Sequence, residues 1–88
     1  MIKKMIENYI YNMKNIDVKN FALKNDIILN DNEVEYILNV IKKNYHILIY
    51  GNPELIFNDL KNKFPLETVN KIEKLYIEFK SKYSSYLN

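Results

Sequence analysis

The sequence predicts an all-α fold, built as one domain from four or five helices. Apolar residues recur at spacings of three and four over most of the chain, which is the period of an amphipathic helix. Residues that start or stop helices fall between these apolar runs. The only run that resembles a strand, residues 45–50, has no second strand to pair with, and a lone strand leaves its backbone groups without partners.

The first two helices are predicted at about residues 2–14 and 18–25. We expect Asp17 to begin the second helix by accepting a hydrogen bond from a free backbone amide. Asn25 and Asp26 are expected to end it, because both residue types tolerate the left-handed conformation. The apolar face of the first helix consists of Ile2, Met5, Ile6, Tyr9, Ile10 and Met13.

A third helix is predicted at about residues 31–44. Asn30 and Glu33 have the spacing of a capping box, in which each residue bonds to the backbone amide of the other. After this helix, residues 45–50 are interpreted as an apolar connector that lies against the helices. It then remains open whether the connector belongs to the core or to an interface.

The last two helices are predicted at about residues 53–63 and 66–85. Gly51 is expected to supply the turn before the fourth helix, Asn52 its cap and Pro53 its first residue. The fifth helix is the longest, and its apolar residues alternate spacings of three and four. This heptad pattern defines an apolar stripe formed by Val69, Ile72, Tyr76, Phe79, Tyr83 and Tyr86.

Composition excludes several functions. The chain of 88 residues has no cysteine, which removes disulfides, thiolate metal sites and cysteine nucleophiles. The net charge is only +2 and every basic residue is a lysine, so the bidentate arginine contacts typical of specific nucleic-acid recognition are missing. Polar residues interrupt the N-terminal apolar run, which argues against an export signal. We therefore expect a cytoplasmic protein that does not associate with membranes.

No group of residues has the composition of a catalytic, cofactor or metal site. A phosphate-binding loop needs several glycines, and Gly51 is the only one. His46 has no second histidine or cysteine with which to bind a metal. The acidic residues from Asp31 to Glu33 lack the glycine and the distant glutamate of a calcium loop. We expect no catalytic residue, no cofactor and no metal, and hence a protein that is not an enzyme.

Four segments between residues 16 and 79 follow one another in a characteristic order. They are Val-Lys-Asn-Phe-Ala-Leu-Lys-Asn-Asp-Ile-Ile-Leu at 18–29, the helix from Glu33 to Lys43, Asn52-Pro53-Glu54, and the helix from Glu67-Thr68-Val69 through Leu75 to Phe79. This order resembles an uncharacterised family of small proteins from low-GC Gram-positive bacteria, a domain-of-unknown-function family. The sequence departs from the family's pattern in its longer apolar run at 45–50 and in Gly51. The resemblance implies a compact, all-helical cytoplasmic protein and assigns it no activity.

The leading hypothesis from the sequence is a non-enzymatic module for protein–protein interaction. If the small bundle is too short to cover the whole apolar stripe, its C-terminal end forms an apolar ridge of the kind that binds helices. The partner is then another protein or a second copy of this chain. The candidate interaction residues are Tyr76, Phe79, Tyr83 and Tyr86.

The alternative hypothesis is a small nucleic-acid-binding protein. Residues 18–43 resemble a helix-extension-helix unit, with residues 27–29 as the extension between two helices. Lysines near the ends of these helices would then contact phosphates. They are Lys19, Lys24, Lys42 and Lys43.

Overall fold

The computed structural model describes the backbone of residues 2–87 and the side-chain surroundings of residues 4–78, 80 and 81. The described backbone forms five helices and no strand, so the predicted all-α fold is confirmed. Backbone contacts divide the chain into unit 1, Met1–Tyr45, and unit 2, His46–Asn88. The prediction that residues 1–88 form one domain stays a prediction. The helices are α1 (Ile2–Asn12), α2 (Asn15–Lys24), α3 (Asp31–Tyr50), α4 (Glu54–Lys63) and α5 (Leu66–Leu87).

Unit 1 contains α1, α2 and the larger part of α3. Helix α2 buries Val18 and Ala22, which are four residues apart and so lie on one face. The segment between α2 and α3 contributes two more buried side chains, Ile27 and Leu29, while Ile28 between them is exposed. From α3, Val34 and Ile37 are the other buried apolar residues in the described part of this unit.

Helix α2 ends as the sequence predicts. Asp26 has a left-handed backbone, with φ of 62°. The amide of Asp26 donates to the Leu23 carbonyl at 3.2 Å, and the amide of Ile27 donates to the Ala22 carbonyl at 2.8 Å. These two bonds form a Schellman motif, which provides partners for carbonyls that have none within the helix. Ala22 and Ile27, the first and last residues of the motif, are both buried.

Helix α2 begins earlier than predicted, at Asn15 rather than near Val18. Asp17 is not the first capping residue, because it already lies within the first turn. Its carboxylate accepts a hydrogen bond from the backbone amide of Lys14 at 2.8 Å. This is the reverse half of a capping box, in which the acidic side chain reaches back to the residue before the helix.

Helix α3 begins with the predicted capping box. The Asn30 amide donates to the Glu33 carboxylate at 2.9 Å, and the Glu33 amide donates to the Asn30 side-chain oxygen at 2.8 Å. Asn30 and Glu33 are only three residues apart, so their spacing in the sequence was sufficient to predict where α3 begins.

The prediction of a connector at residues 45–50 was wrong, because these residues continue α3. The helix is kinked at Asn44, whose φ of −121° and ψ of 18° are not helical. The Asn44 side-chain amide donates to the Val40 carbonyl at 3.0 Å, and this carbonyl is the acceptor that the Asn44 backbone amide uses in a regular helix. The Asn44 side chain thus provides a hydrogen-bond donor for the Val40 carbonyl at the kink. A side chain that inserts into the backbone hydrogen bonds in this way usually bends a helix without ending it.

Gly51 closes the end of α3. Its amide donates to the Ile47 carbonyl at 2.8 Å. A Cβ atom at this position would lie 3.2 Å from both the Cα and the carbonyl oxygen of Ile47, which is closer than most such contacts. A side chain here would require Ile47 to shift by a few tenths of an ångström, so glycine favours this turn through the space it leaves, and not through a positive φ.

Unit 2 contains the last turn of α3 together with α4 and α5, which contact each other. Phe64 and Pro65 join α4 to α5, and Phe64 has the extended backbone expected before a proline. Helix α4 begins at Glu54 with Pro53 as its capping residue, one residue later than predicted. The Asn52 side-chain oxygen still accepts a hydrogen bond from the Glu54 amide at 3.0 Å. Among the described side chains of unit 2, the buried apolar ones are Ile49, Phe57, Leu60, Phe64 and Val69.

Candidate interaction surface

The hydroxyl group of Tyr76 connects the apolar stripe of α5 to the end of α3. It donates a hydrogen bond of 2.6 Å to the Leu48 carbonyl. The last four carbonyls of a helix have no amide partner within that helix, and Leu48 lies among the last four residues of α3. The tyrosine therefore caps a carbonyl that would otherwise need water, and it joins two helices of unit 2.

The ring of Tyr76 also makes contacts within unit 2. It lies against Phe57 of α4, with the ring centroids 5.5 Å apart and the planes tilted by 58°. This is a favourable arrangement for two aromatic rings. The Nζ atom of Lys80 lies 5.8 Å from the centroid of Tyr76, within the range of a cation–π contact. Tyr76 is thus half-buried and has partners on α3, α4 and α5.

The burial of the apolar stripe decreases along α5. Val69 is 0% exposed, whereas Ile72 and Tyr76 are only half-buried. The first part of the stripe therefore belongs to the core of unit 2. The other candidate interaction residues, Phe79, Tyr83 and Tyr86, are on the helical part of the described backbone, but their side chains lie outside the described residues.

The four candidate nucleic-acid contacts all lie in unit 1, and two of them have partners there. Lys19 forms an exposed ion pair with Asp31 at 3.5 Å. Lys42 donates to the Tyr11 carbonyl at 3.0 Å and so caps the end of α1. Lys24 and Lys43 are exposed. The role of these lysines in phosphate binding stays a prediction.

The described residues do not group into a metal site. No cluster of three or more histidine, aspartate or glutamate side chains is placed to bind a metal ion among them. His46 is exposed on the last two turns of α3, and Asp31 and Glu33 occupy the first turn of that helix. Each of the described helices is also too short or too polar to cross a membrane.

A shallow groove in unit 1 was not predicted from the sequence. It is lined mainly by one side of α1, with Asp17 from α2. Met5 and Tyr9 are exposed along it, and both belong to the apolar face predicted for α1. Helix α2 also has apolar residues on more than one side, since Ile16 and Leu23 are exposed on the side away from the buried Val18 and Ala22. No sequence pattern distinguished the covered faces of these helices from the exposed ones. The groove consists of Met5, Asn8, Tyr9, Asn12, Met13 and Asp17.

Comparison with known proteins identifies no relative: no family model, no curated protein and no solved structure matches the chain. The resemblance of residues 16–79 to a family from low-GC Gram-positive bacteria therefore stays a prediction.

Proposed function

We propose that this protein is a non-enzymatic helical interaction module, and that the C-terminal part of the α5 stripe binds a helix of a protein partner. The observation that carries the proposal is the difference in length between two neighbouring helices. Helix α4 has 10 residues and α5 has 22, which correspond to about 15 and about 33 Å. A helix as short as α4 cannot flank the whole of α5.

The contact between Phe57 and Tyr76 defines where α4 stops flanking α5. Two residues join the helices, which is a usual connection between antiparallel helices, and Phe57 lies three residues after the start of α4. Tyr76 lies eleven residues before the end of α5. At 1.5 Å per residue, α5 therefore extends about 12 Å beyond the first residue of α4. The apolar heptad pattern of the sequence continues over this extension, through Phe79, Tyr83 and Tyr86.

Exposed apolar residues also occur elsewhere in unit 2. Ile77, on a side of α5 away from the stripe, is 59% exposed. Scattered exposed apolar side chains are common in a domain of this size, so they supply apolar surface for a partner without identifying where it binds. Where the side chains of unit 2 are described, the exposed large apolar residues are Ile47, Tyr50, Leu55, Leu66 and Ile77.

A charge placed in the stripe tests the proposal. Phe79→Asp puts a carboxylate where a partner helix would need an apolar surface, so it should abolish binding. Asn70→Asp adds the same charge at an exposed position on another side of α5 and should bind normally. Both variants and the native chain are immobilised to capture proteins from the cell of origin, and their association states are measured by sedimentation equilibrium.

The proposal predicts a partner that the native chain and Asn70→Asp bind and Phe79→Asp does not. Far-UV circular dichroism checks that each variant is folded, and Tyr83→Asp replaces Phe79→Asp if the latter unfolds. A native chain that stays monomeric and captures no protein with this dependence contradicts the proposal. Binding of labelled DNA or RNA that weakens steeply with salt and survives Phe79→Asp would instead support the lysine-based alternative.

A further inference from the structure

We infer that Asn44 is a hinge that divides α3 into two segments, residues 31–43 and 45–50, and that each segment breaks and re-forms its backbone hydrogen bonds independently of the other. The inference concerns the conformational behaviour of the fold and does not depend on the proposed function. It follows from the geometry of Asn44 and from the contacts that hold each segment in place.

Asn44 has the geometry of a residue that ends a helix. Asn25 ends α2 with φ of −112° and ψ of 23°, and its side-chain amide donates to the carbonyl of Phe21, four residues earlier, at 2.9 Å. Asn44 has φ of −121° and ψ of 18°, and its side-chain amide donates to the carbonyl of Val40, also four residues earlier, at 3.0 Å. The two residues have nearly the same arrangement, yet helical structure ends at Asn25 and resumes after Asn44.

This interruption weakens the coupling between the two segments. A helix forms cooperatively, because each residue in the helical conformation positions the backbone groups of the next hydrogen bond. The non-helical angles of Asn44 break this sequence of dependence in the middle of α3. Opening on one side of Asn44 therefore need not extend to the other side.

The contacts on the two sides of Asn44 belong to different units. Before it, Val34 and Ile37 are buried, and both lie in unit 1. After it, the Leu48 carbonyl accepts the 2.6 Å hydrogen bond from Tyr76, and both of these residues lie in unit 2. The division between the units falls just after the hinge.

The segment after the hinge depends on unit 2 for its helical structure. Residues 45–50 are too few to form a stable helix alone, and they include two isoleucines and two tyrosines, which have low helix propensity. Ile49 is buried, and the bond from Tyr76 holds the carbonyl of the preceding residue. Loss of these contacts should therefore open residues 45–50 and leave residues 31–43 helical.

Hydrogen exchange in the native chain tests the inference. Amides 38–42 report the first segment and amides 49–51 the second, because each helical amide bonds to the carbonyl four residues before it. For Gly51 this bond, to the Ile47 carbonyl, is 2.8 Å long. We expect NMR at increasing urea concentration to resolve an opening that exposes amides 49–51 while amides 38–42 stay protected. A single opening that exposes both sets together overturns the inference.

The Tyr76→Phe variant tests how the second segment is held. It removes the hydrogen bond to the Leu48 carbonyl, so we expect amides 49–51 to exchange about fivefold faster, which is the effect of one hydrogen bond. Amides 38–42 should change by less than about twofold. Equal acceleration of both sets, or no acceleration at 49–51, is incompatible with the hinge.

Two alanine variants make the test specific to Asn44. Asn44→Ala removes the side-chain donor and introduces the residue with the highest helix propensity, so α3 should become continuous. Asn39→Ala makes the same change at an exposed position of the first segment and leaves the hinge intact. When each is combined with Tyr76→Phe, both sets of amides should accelerate equally with Asn44→Ala, whereas the difference between the sets should persist with Asn39→Ala.

A difference that persists equally in both alanine variants overturns the role of Asn44. If Tyr76→Phe does not fold, the urea series is measured on the two alanine variants alone. Asn39→Ala should then keep separate openings for the two segments, and Asn44→Ala should show one shared opening. Separate openings in Asn44→Ala would contradict the inference.

Discussion

At the scale of single residues, the hydroxyl group of Tyr76 has a role that its neighbours on the stripe lack. Val69 and Ile72 contribute only apolar surface to α5, whereas Tyr76 also donates to the Leu48 carbonyl at the end of α3. Leu48 is 28 residues away in sequence. The heptad pattern could place Tyr76 on the stripe, but no local pattern could identify this acceptor.

The Tyr76→Phe variant measures the contribution of that hydrogen bond. It keeps the ring against Phe57 and removes only the hydroxyl, so we expect a loss of about 1 kcal/mol in the free energy of unfolding. Tyr11 is 80% exposed, and Tyr11→Phe should change stability by less than about 0.5 kcal/mol. Urea unfolding followed by circular dichroism compares the two. Equal stability of both variants would show that water replaces the hydroxyl at no cost.

Asp26 provides a second test at this scale, because its φ of 62° is costly for any residue with a Cβ atom. Asp26→Gly and Asp26→Ala both remove the carboxylate and differ only in that atom. We expect the glycine variant to be more stable than the alanine variant by about 1 kcal/mol. Thermal and urea unfolding give the difference, and an alanine variant at least as stable as the glycine variant would be inconsistent with a left-handed residue at the end of α2.

Local capping was the most predictable feature of the chain. The bonds between Asn30 and Glu33 and the left-handed turn at Asp26 followed from residue type and spacing. In each case all partners lie within about one helical turn, so the surrounding sequence contains the whole interaction. Asp17 was correctly predicted to take part in the start of α2, but it was assigned to the capping position and lies three residues after it. An acidic side chain can stabilise a helix start from either of these two positions.

At the scale of whole elements, the main difference from the prediction is the extent of α3. Residues 45–50 are rich in isoleucine and tyrosine, which have low helix propensity and resemble a strand. They are nevertheless helical, because propensity is a weak preference that tertiary contacts overcome. Here Ile49 is buried in unit 2, and the Leu48 carbonyl is bonded to Tyr76. The sequence left open whether this segment belongs to the core or to an interface. Ile49 is in the core, whereas Ile47 and Tyr50 are exposed.

A proline in this segment tests whether it is helical. Ile47→Pro removes a helical amide and introduces a ring that clashes with the preceding turn, so we expect it to cost about 3 kcal/mol or more. Ile47→Ala removes the same exposed side chain but keeps the amide, and it should cost far less. The free energies of unfolding in urea give the difference. Similar values for the two variants would indicate an extended connector, as the sequence alone suggested.

The lengths of α4 and α5 are the element-level feature on which the proposed function depends. Both lengths were predicted to within two residues, at about 53–63 and 66–85 against Glu54–Lys63 and Leu66–Leu87. The sequence therefore indicated in advance that α5 would be about twice as long as α4. The contact between Phe57 and Tyr76 then defines which part of α5 extends beyond it.

At the scale of the whole molecule, each unit has its own buried apolar residues. Val34 in unit 1 is 2% exposed and Val69 in unit 2 is 0% exposed. Each unit also exposes large apolar side chains, among them Phe21 and Ile28 in unit 1 and Leu55 and Ile77 in unit 2. A chain of 88 residues has a thin core and a large surface relative to its volume, so part of its apolar content must remain outside. The proposed binding of a partner helix would cover one such region.

The sequence by itself determined the helical class, the positions of most helix ends and the stripe of α5, because periodicity and capping depend on residues within a few turns of one another. Only the tertiary structure decided that residues 45–50 are helical, that Tyr76 bonds to Leu48, and that Met5 and Tyr9 are exposed. Each of these depends on contacts between residues far apart in sequence, or on their absence. A helical pattern shows which residues share a face, and packing decides how much of that face is covered.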